Sequence, residues 1–477
     1  MAEQSLKDKT VKGVIWSSVE RFSVQGVQFF VMLVIARLLT PNDYGLVGML
    51  AIFIAVAQTL IDSGFSQALI RKQNRTEIDN NTVFYFNIIV SIFLYVFLFA
   101  IAPWVADFYE EPQLAKLMRV LCLVVIFNSF AVVQRAILTA NINFKLQAKA
   151  SFISALISGG IGVCLALKGY GVWTLVFQLL LSTVINVLLL WWYSPWRPGL
   201  FYSWKSFREL FSFGSKLMVV GLIDTIYNNL YQIIIGKIFS ATSLGFYTRA
   251  QHFSELPSSN ITGILQRVTY PVLCNIQDDN ERLRDNYRKL LRVSAFVIFP
   301  IMCLIAGLAH PMIKLLIGEK WNYAATLLTP ICFFMMWYPI HAINLNLLQV
   351  KGRSDLFLKL EIIKKVIIVS VLILSIPFGL LFMCYSRIAT TIICLVINTY
   401  YTGKLIQVGF IKQMKDILGS LVTSFVVFLS ILFVVGLTEN LFLQLLLGFI
   451  VAVTIYLGTA FLFKFEEIKY IKLIIRK

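Results

Sequence analysis

Fourteen apolar stretches, each long enough to cross a bilayer as a helix, follow one another along this chain with only short polar joints between them. They lie near residues 13–36, 44–62, 82–106, 117–140, 150–168, 171–193, 211–236, 244–273, 291–309, 323–348, 358–376, 379–403, 416–437 and 441–463. Crossing about 30 Å of hydrocarbon takes roughly 20 apolar residues in a helix. A membrane β-barrel would instead need strands of about ten residues with alternating polarity, and runs such as "IIVSIFLYVFLFAIA" do not alternate. The pattern therefore predicts an all-α integral membrane protein. Composition excludes the soluble alternative: 58% of the 477 residues are hydrophobic and only 14% are charged, too little polar surface to cover a globule of this size.

The net charge of +18 raises the question of nucleic acid, and the positions of the basic residues answer it. With the N-terminus in the cytoplasm, 32 of the 42 Lys and Arg fall on inside segments and 8, among them Arg37, Lys237 and Arg387, on outside ones. Arg21 and Arg249 remain, both within spans. This is the positive-inside bias of a multi-pass protein. It predicts both termini in the cytoplasm and needs no nucleic-acid partner. The first apolar segment holds Glu20, Arg21, Gln25 and Gln28 and has no small-residue cleavage site, so it reads as a span and not as a removable signal. Seven scattered cysteines without a CxxC pair read as small core residues.

An internal echo organises the spans. "IARLLTPNDYGLVGM" at 35–49 and "IGKIFSATSLGFYTR" at 235–249 place Ile35 on Ile235, Arg37 on Lys237, Thr40 on Ser240 and Gly45 on Gly245. The two copies stand six spans apart, so they point the same way across the membrane. A second echo relates "ILTANINFKLQAKASFI" at 137–153 to "LLQVKGRSDLFLKLEII" at 347–363. Parallel repeats of this kind are common in secondary transporters. The expected organisation is an N-terminal six-helix bundle over 1–193, a cytoplasmic amphipathic linker over 194–210 and a second six-helix bundle over 211–410. Helices 13 and 14 with a basic tail follow over 411–477. Within the linker, two prolines forbid a continuous helix, and Trp204, Lys205, Phe207 and Arg208 suggest a short interfacial helix.

The stretches "ARLLTPNDYGLVGM", "LIDSGFSQALI" at 60–70 and "FYTRAQHFSELPSSNITGILQRVTYPVL" at 246–273 carry a family resemblance. Over residues 10 to 410 the chain resembles the Wzx-type flippases and colanic-acid-exporter-like proteins of the multidrug/oligosaccharidyl-lipid/polysaccharide exporter superfamily. The resemblance implies a MATE-like fold of about fourteen helices. It also implies movement of undecaprenyl-pyrophosphate-linked oligosaccharide across the bacterial inner membrane by alternating access, for lipopolysaccharide O-antigen, capsule or exopolysaccharide synthesis. Polysaccharide polymerase and chain-length proteins are the partners the family suggests.

Residues inside the spans supply site candidates, because a charge at the bilayer centre costs about 3 kcal/mol or more and is normally turned toward protein or water. Ser17, Arg21, Gln25 and Gln28, with Glu20 beside them, form a polar stripe in the first span. Lys216, Asp224, Tyr227, Asn228 and Tyr231 do so in the seventh. Arg249, His252, Glu255 and Ser259 do so in the eighth, where Pro257 suggests a kink. Asn128, Arg135, His341 and Asn344 add isolated polar groups. A pyrophosphate needs matched positive charge, which guanidinium supplies best. Arg21 and Arg249 are therefore the primary candidates, helped by Lys216 and Arg135 on the cytoplasmic side and by Gln25, Gln28 and Asn228. The competing reading pairs Glu20 with Arg21 and Arg249 with Glu255 for local neutrality. Glu20, Asp224, Glu255 and His252 are candidates for binding a coupling ion as access alternates.

No cofactor or metal is expected. Without a GxxxxGK loop, the energy source would be a proton or sodium gradient and not ATP. The alternatives are a cation-coupled multidrug antiporter of the same superfamily and, from another class, a membrane-embedded glycan polymerase or transferase. The latter would carry a large polar loop with clustered acid–base groups. The longest polar stretch, "CNIQDDNERLRDNYRKLLR", reads instead as a cytoplasmic amphipathic segment.

Overall fold

The computed structural model describes residues 23–62, 64–72 and 74–467, and every regular element among them is helical. Contacts divide the chain into two compact units on either side of the Gly245/Phe246 bond.

The first unit holds α1 (Ser23–Leu38), α2 (Pro41–Asp62), α3 (Phe65–Arg71), α4 (Glu77–Tyr109), α5 (Gln113–Leu121), α6 (Leu123–Ser129), α7 (Val132–Ala140), α8 (Phe144–Leu167), α9 (Val172–Tyr193) and α10 (Trp204–Ile238). It also holds the first residues of α11 (Ala241–Cys274). The rest of α11 belongs to the second unit, with α12 (Asn280–Gly307), α13 (Ala309–Ile317), α14 (Asn322–Met335), α15 (Tyr338–Val350) and α16 (Ser354–Ser375). α17 (Leu380–Ile406), α18 (Phe410–Val435) and α19 (Leu441–Leu462) complete it.

Among the described residues, ten helices are long and apolar enough to span a membrane, or eleven if the bent pair Gln113–Ser129 and Val132–Ala140 is one span. The count of fourteen is thus not confirmed, and three of the expected spans account for the difference. α1 is described only over Ser23–Leu38. α11 dilutes its apolar residues with Arg249, His252, Glu255 and a run of Ser and Asn. α16 carries Asp355, Lys359, Glu361, Lys364 and Lys365. Large side chains such as Phe93, Trp104 and Phe449 are exposed along the apolar helices, as expected where the surrounding solvent is lipid. The protein is a multi-pass membrane protein.

The repeated turn has a repeated structure. Thr40 and Asp43 cap the start of α2 reciprocally, Asp43 Oδ2 accepting from the Thr40 amide at 2.8 Å and Thr40 Oγ1 accepting from the Asp43 amide at 3.3 Å. At the equivalent place Ser240 Oγ accepts from the Ser243 amide at 3.0 Å and caps α11. The glycine one turn on lets these starts touch. A Cβ on Gly45 would stand 1.6 Å from the Ala241 carbonyl oxygen, and one on Gly245 would stand 1.8 Å from that of Pro41. The contacts therefore exchange in register, with Thr242 hydrogen-bonded to Asn42 beside them.

Residues 194–203 are not helical, whereas 204–210 form the first turns of α10 and so do not make a separate short helix. The non-helical stretch is docked on the start of α4: Trp196 Nε1 donates to Glu77 at 2.6 Å, and Asn81 and Thr82 accept from the Gly199 and Ser203 amides. Lys72 joins in through ion pairs to Asp79 and Glu209. Trp196 also completes an apolar cluster with Phe65, Phe84, Val133 and Leu210.

In the second unit, α12 and α18 are tied by Asp416, whose carboxylate takes a two-pronged contact from Arg288 at 2.6 and 2.7 Å and another from Arg292 at 3.0 Å. Asn344, Thr402 and Gln413 form a fully buried hydrogen-bond network among α15, α17 and α18. α11 runs as one helix through Pro257 and Pro271. All seven cysteines are free, and five of them are buried.

Candidate functional site

Within the first unit, α1, α6, α7, α8 and α9 enclose a cavity of about 360 Å³ whose walls are mostly polar. Gln28, Asn128, Arg135, Gln147, Ser151 and Asn186 supply most of its hydrogen-bonding capacity. Arg135 is held by one prong, Nη2 donating to Asn128 Oδ1 at 2.9 Å, while its Nε is buried without a hydrogen-bond partner. Gln147 is braced against Thr139 at 3.0 Å. Asp62 at the end of α2 lies within electrostatic reach of Arg135. None of the residues lining the cavity is acidic. A guanidinium with a free N–H, ringed by neutral amides and hydroxyls inside a membrane-spanning unit, is suited to an anion, because the Gln28, Asn128 and Asn186 amides can turn donors toward it beside Arg135.

The sequence candidates separate on this geometry. Gln28 and Arg135 meet at the cavity, joined by Asn128. Gln25, one turn before Gln28, has its amide oxygen buried without a partner. Lys216, Asp224 and Asn228 are exposed along α10 and do not line the cavity. Glu20 and Arg21 lie outside the described residues.

On α11, Arg249, His252 and Glu255 are each half-buried, as their spacing on one helix requires. Arg249 is within electrostatic reach of His252, and the Glu255 carboxylate accepts a short hydrogen bond from Gln251. The Nδ1 of His252 is buried without a hydrogen-bond partner.

Sequence reasoning missed Gln147, Ser182, Thr183 and Asn186, because uncharged polar residues barely disturb a hydropathy profile. Their spacing, 147, 151 and 154 on α8 and 182, 183 and 186 on α9, is the helical stripe that would have found them. Two further charges lie inside helices. Arg387 sits two turns into α17, donating to the Tyr247 hydroxyl at 2.7 Å and stacking 3.8 Å from the centre of the Phe334 ring. Lys364 lies in mid-α16, buried and paired with Glu361. No group of three or more His, Cys, Asp or Glu side chains able to share a metal occurs among the described residues.

The comparisons agree with this architecture. The family model described as "Polysaccharide biosynthesis protein" matches residues 34–326. The lipopolysaccharide biosynthesis protein WzxC of Escherichia coli K12 is 26% identical over 379 residues, covering 78% of this chain and 76% of WzxC. The teichuronic acid biosynthesis protein TuaB of Bacillus subtilis 168 is 23% identical over 354 residues, covering 74% of this chain and 73% of TuaB. Among solved structures, the lipid II flippase MurJ in an inward closed conformation superimposes with a TM-score of 0.79 at 15% identity, over 94% of this chain and 98% of MurJ, a likeness of fold. A family model that spans more than half of the chain, on a multi-helical membrane fold, places the protein in the polysaccharide biosynthesis protein family.

Proposed function

We propose that this protein is a flippase that carries undecaprenyl-pyrophosphate-linked oligosaccharide across the bacterial inner membrane for surface polysaccharide synthesis. The observation that carries the reading is the cavity of the first unit, where Arg135 offers an unpartnered buried N–H among neutral polar side chains. A pyrophosphate crossing a low-dielectric interior gains most from such a donor set, and a sugar's hydroxyls pair equally well with amides and hydroxyls. A cationic drug would favour acidic and aromatic walls, which disfavours the multidrug antiporter. The fold is one that a solved flippase and a solved transporter share, which disfavours the polymerase or transferase.

In this reading the basic residues fix both termini in the cytoplasm, and two bundles alternate access, with segments 1–193 and 211–410 as repeat-related halves around the 194–210 linker. Arg21, Arg249 and Lys216 supplement Arg135. A proton or sodium gradient supplies the energy, and polymerase and chain-length proteins take up the product.

The test is movement of a fluorescent undecaprenyl-pyrophosphate oligosaccharide in proteoliposomes. Removing one charge-assisted contact at about 1.5–3 kcal/mol should slow Arg135→Ala at least tenfold. Arg21→Ala and Arg249→Ala run alongside. Undiminished movement in Arg135→Ala would detach the cavity from transport. Gradient-driven efflux of a cationic dye with no glycolipid movement would favour the drug antiporter.

A further inference from the structure

A second polar cluster lies in the second unit, among residues that do not line the cavity. His341 on α15 has its Nδ1 2.9 Å from Asn398 Nδ2 on α17, and its ring also meets the Thr391 carbonyl. With the amide so placed, Asn398 donates to Nδ1 and the ring is neutral, its proton on Nε2. The other end of the amide, Oδ1, is buried without a partner. Turning the amide over would bring Oδ1 to accept from a protonated Nδ1, with the Thr391 carbonyl still beside the ring. The same three groups can thus satisfy the imidazole in both protonation states, a property that a purely packing histidine does not need.

The surroundings add charge. Among the groups facing the ring, Lys364 on α16 lies within electrostatic reach of it and is paired with Glu361 one turn back. The Cys394 thiol on α17 lies near the same pair. α12 packs on α15 as well, but its charged residues are confined to 281–292, its first half. On α15 itself, Asn344 is committed to Gln413 and Thr402.

We infer that His341, with Asn398, Lys364 and Glu361, forms a proton-exchange site in the second unit, its ligand a single proton taken on and released at Nδ1. Lys364 and Glu361 cancel each other, so loading His341 leaves one net positive charge inside the protein. The conformation described here, with Lys364 close by and the amide turned to donate, is the proton-free state. A rearrangement that draws Lys364 away from the ring favours the proton-loaded state. This deepens the transport reading by naming the coupling ion and its site.

The chain has only three histidines, so the site can be watched directly. The experiment is ¹⁵N-histidine NMR of the full chain in nanodiscs, with His252→Gln and His310→Gln leaving His341 as the one histidine. Scanned from about pH 8 down to about pH 4, the Lys364→Met ring should take up its proton at a higher pH than the parent's. A ring that stays neutral across this range in both proteins overturns the proposal. In proteoliposomes, an imposed proton gradient should drive glycolipid in the parent protein, and His341→Gln should lose that response while keeping downhill movement. An equal gradient response in the two overturns it. A titrating His341 in a protein that moves no glycolipid supports the site and counts against the flippase, so the two readings fail separately.

Discussion

Replacing Gly45 by Ala tests whether the repeated turn is a packing device. The added Cβ would lie 1.6 Å from the Ala241 carbonyl oxygen, whereas ordinary contact begins at 3.4 Å, so the starts of α2 and α11 would have to part by 1.8 Å. The obstacle is backbone, and no side-chain rotation relieves it. Overpacking costs about 1–3 kcal/mol, and the upper end applies where both partners are helical backbone. Alanine recovers about 1 kcal/mol of helix propensity over glycine. The net is a destabilisation of about 1–2 kcal/mol, and Gly245→Ala, with 1.8 Å to the Pro41 oxygen, should match it. The assay is thermal unfolding in detergent followed by size-exclusion chromatography. Gly160→Ala serves as control, because its Cβ would meet nothing within 4 Å and only the propensity gain remains. Gly45→Ala at or above the melting temperature of Gly160→Ala would refute the reasoning.

Asp416→Ala should destabilise the second unit by about 3–5 kcal/mol, because Arg288 and Arg292 lose a carboxylate whose side chain is only 3% exposed. Thermal melts should rank Asp416→Asn between it and the parent. Trp196→Phe keeps most of the apolar contact but deletes the indole N–H to Glu77, and a loss of about 1.5–3 kcal/mol should follow in the same melts. Glu77→Gln should recover part of the parent's stability. At the end of α4, the hydrogen bond and charge of Lys237 hold the Glu110 carboxyl below its ordinary range. A depressed carboxyl stabilises the fold above its unfolded pKa, and that contribution fades as pH falls through the folded value. Melts of the parent and Glu110→Gln should therefore differ slightly at neutral pH and converge in acid. Both residues being largely accessible, high salt should erase the difference.

The sequence alone carried the helical class, the succession of apolar segments and the repeat at 35–49 and 235–249. Hydropathy and turn chemistry are local, written at 1.5 Å per residue along each helix. For the same reason Arg249, His252 and Glu255 could be placed on one side of α11 before any packing was known. Thr40 and Ser240 were aligned as repeat equivalents, and the structure shows that each caps a helix start within its own turn.

Only the tertiary structure decided which faces meet. Gly45 and Gly245 are unremarkable glycines until the carbonyls of Ala241 and Pro41 come against them. Gln28, Arg135, Gln147 and Asn186 belong to four different helices, and no periodicity along one helix says that they share a cavity. Lys364 falls within the apolar stretch 358–376, and the sequence alone does not say what offsets its charge there. In the fold its partner is Glu361 one turn away, and the pair enters the interior beside His341. Long-range packing and mutual charge compensation are properties of several segments at once, and one chain read in order contains the parts without their arrangement.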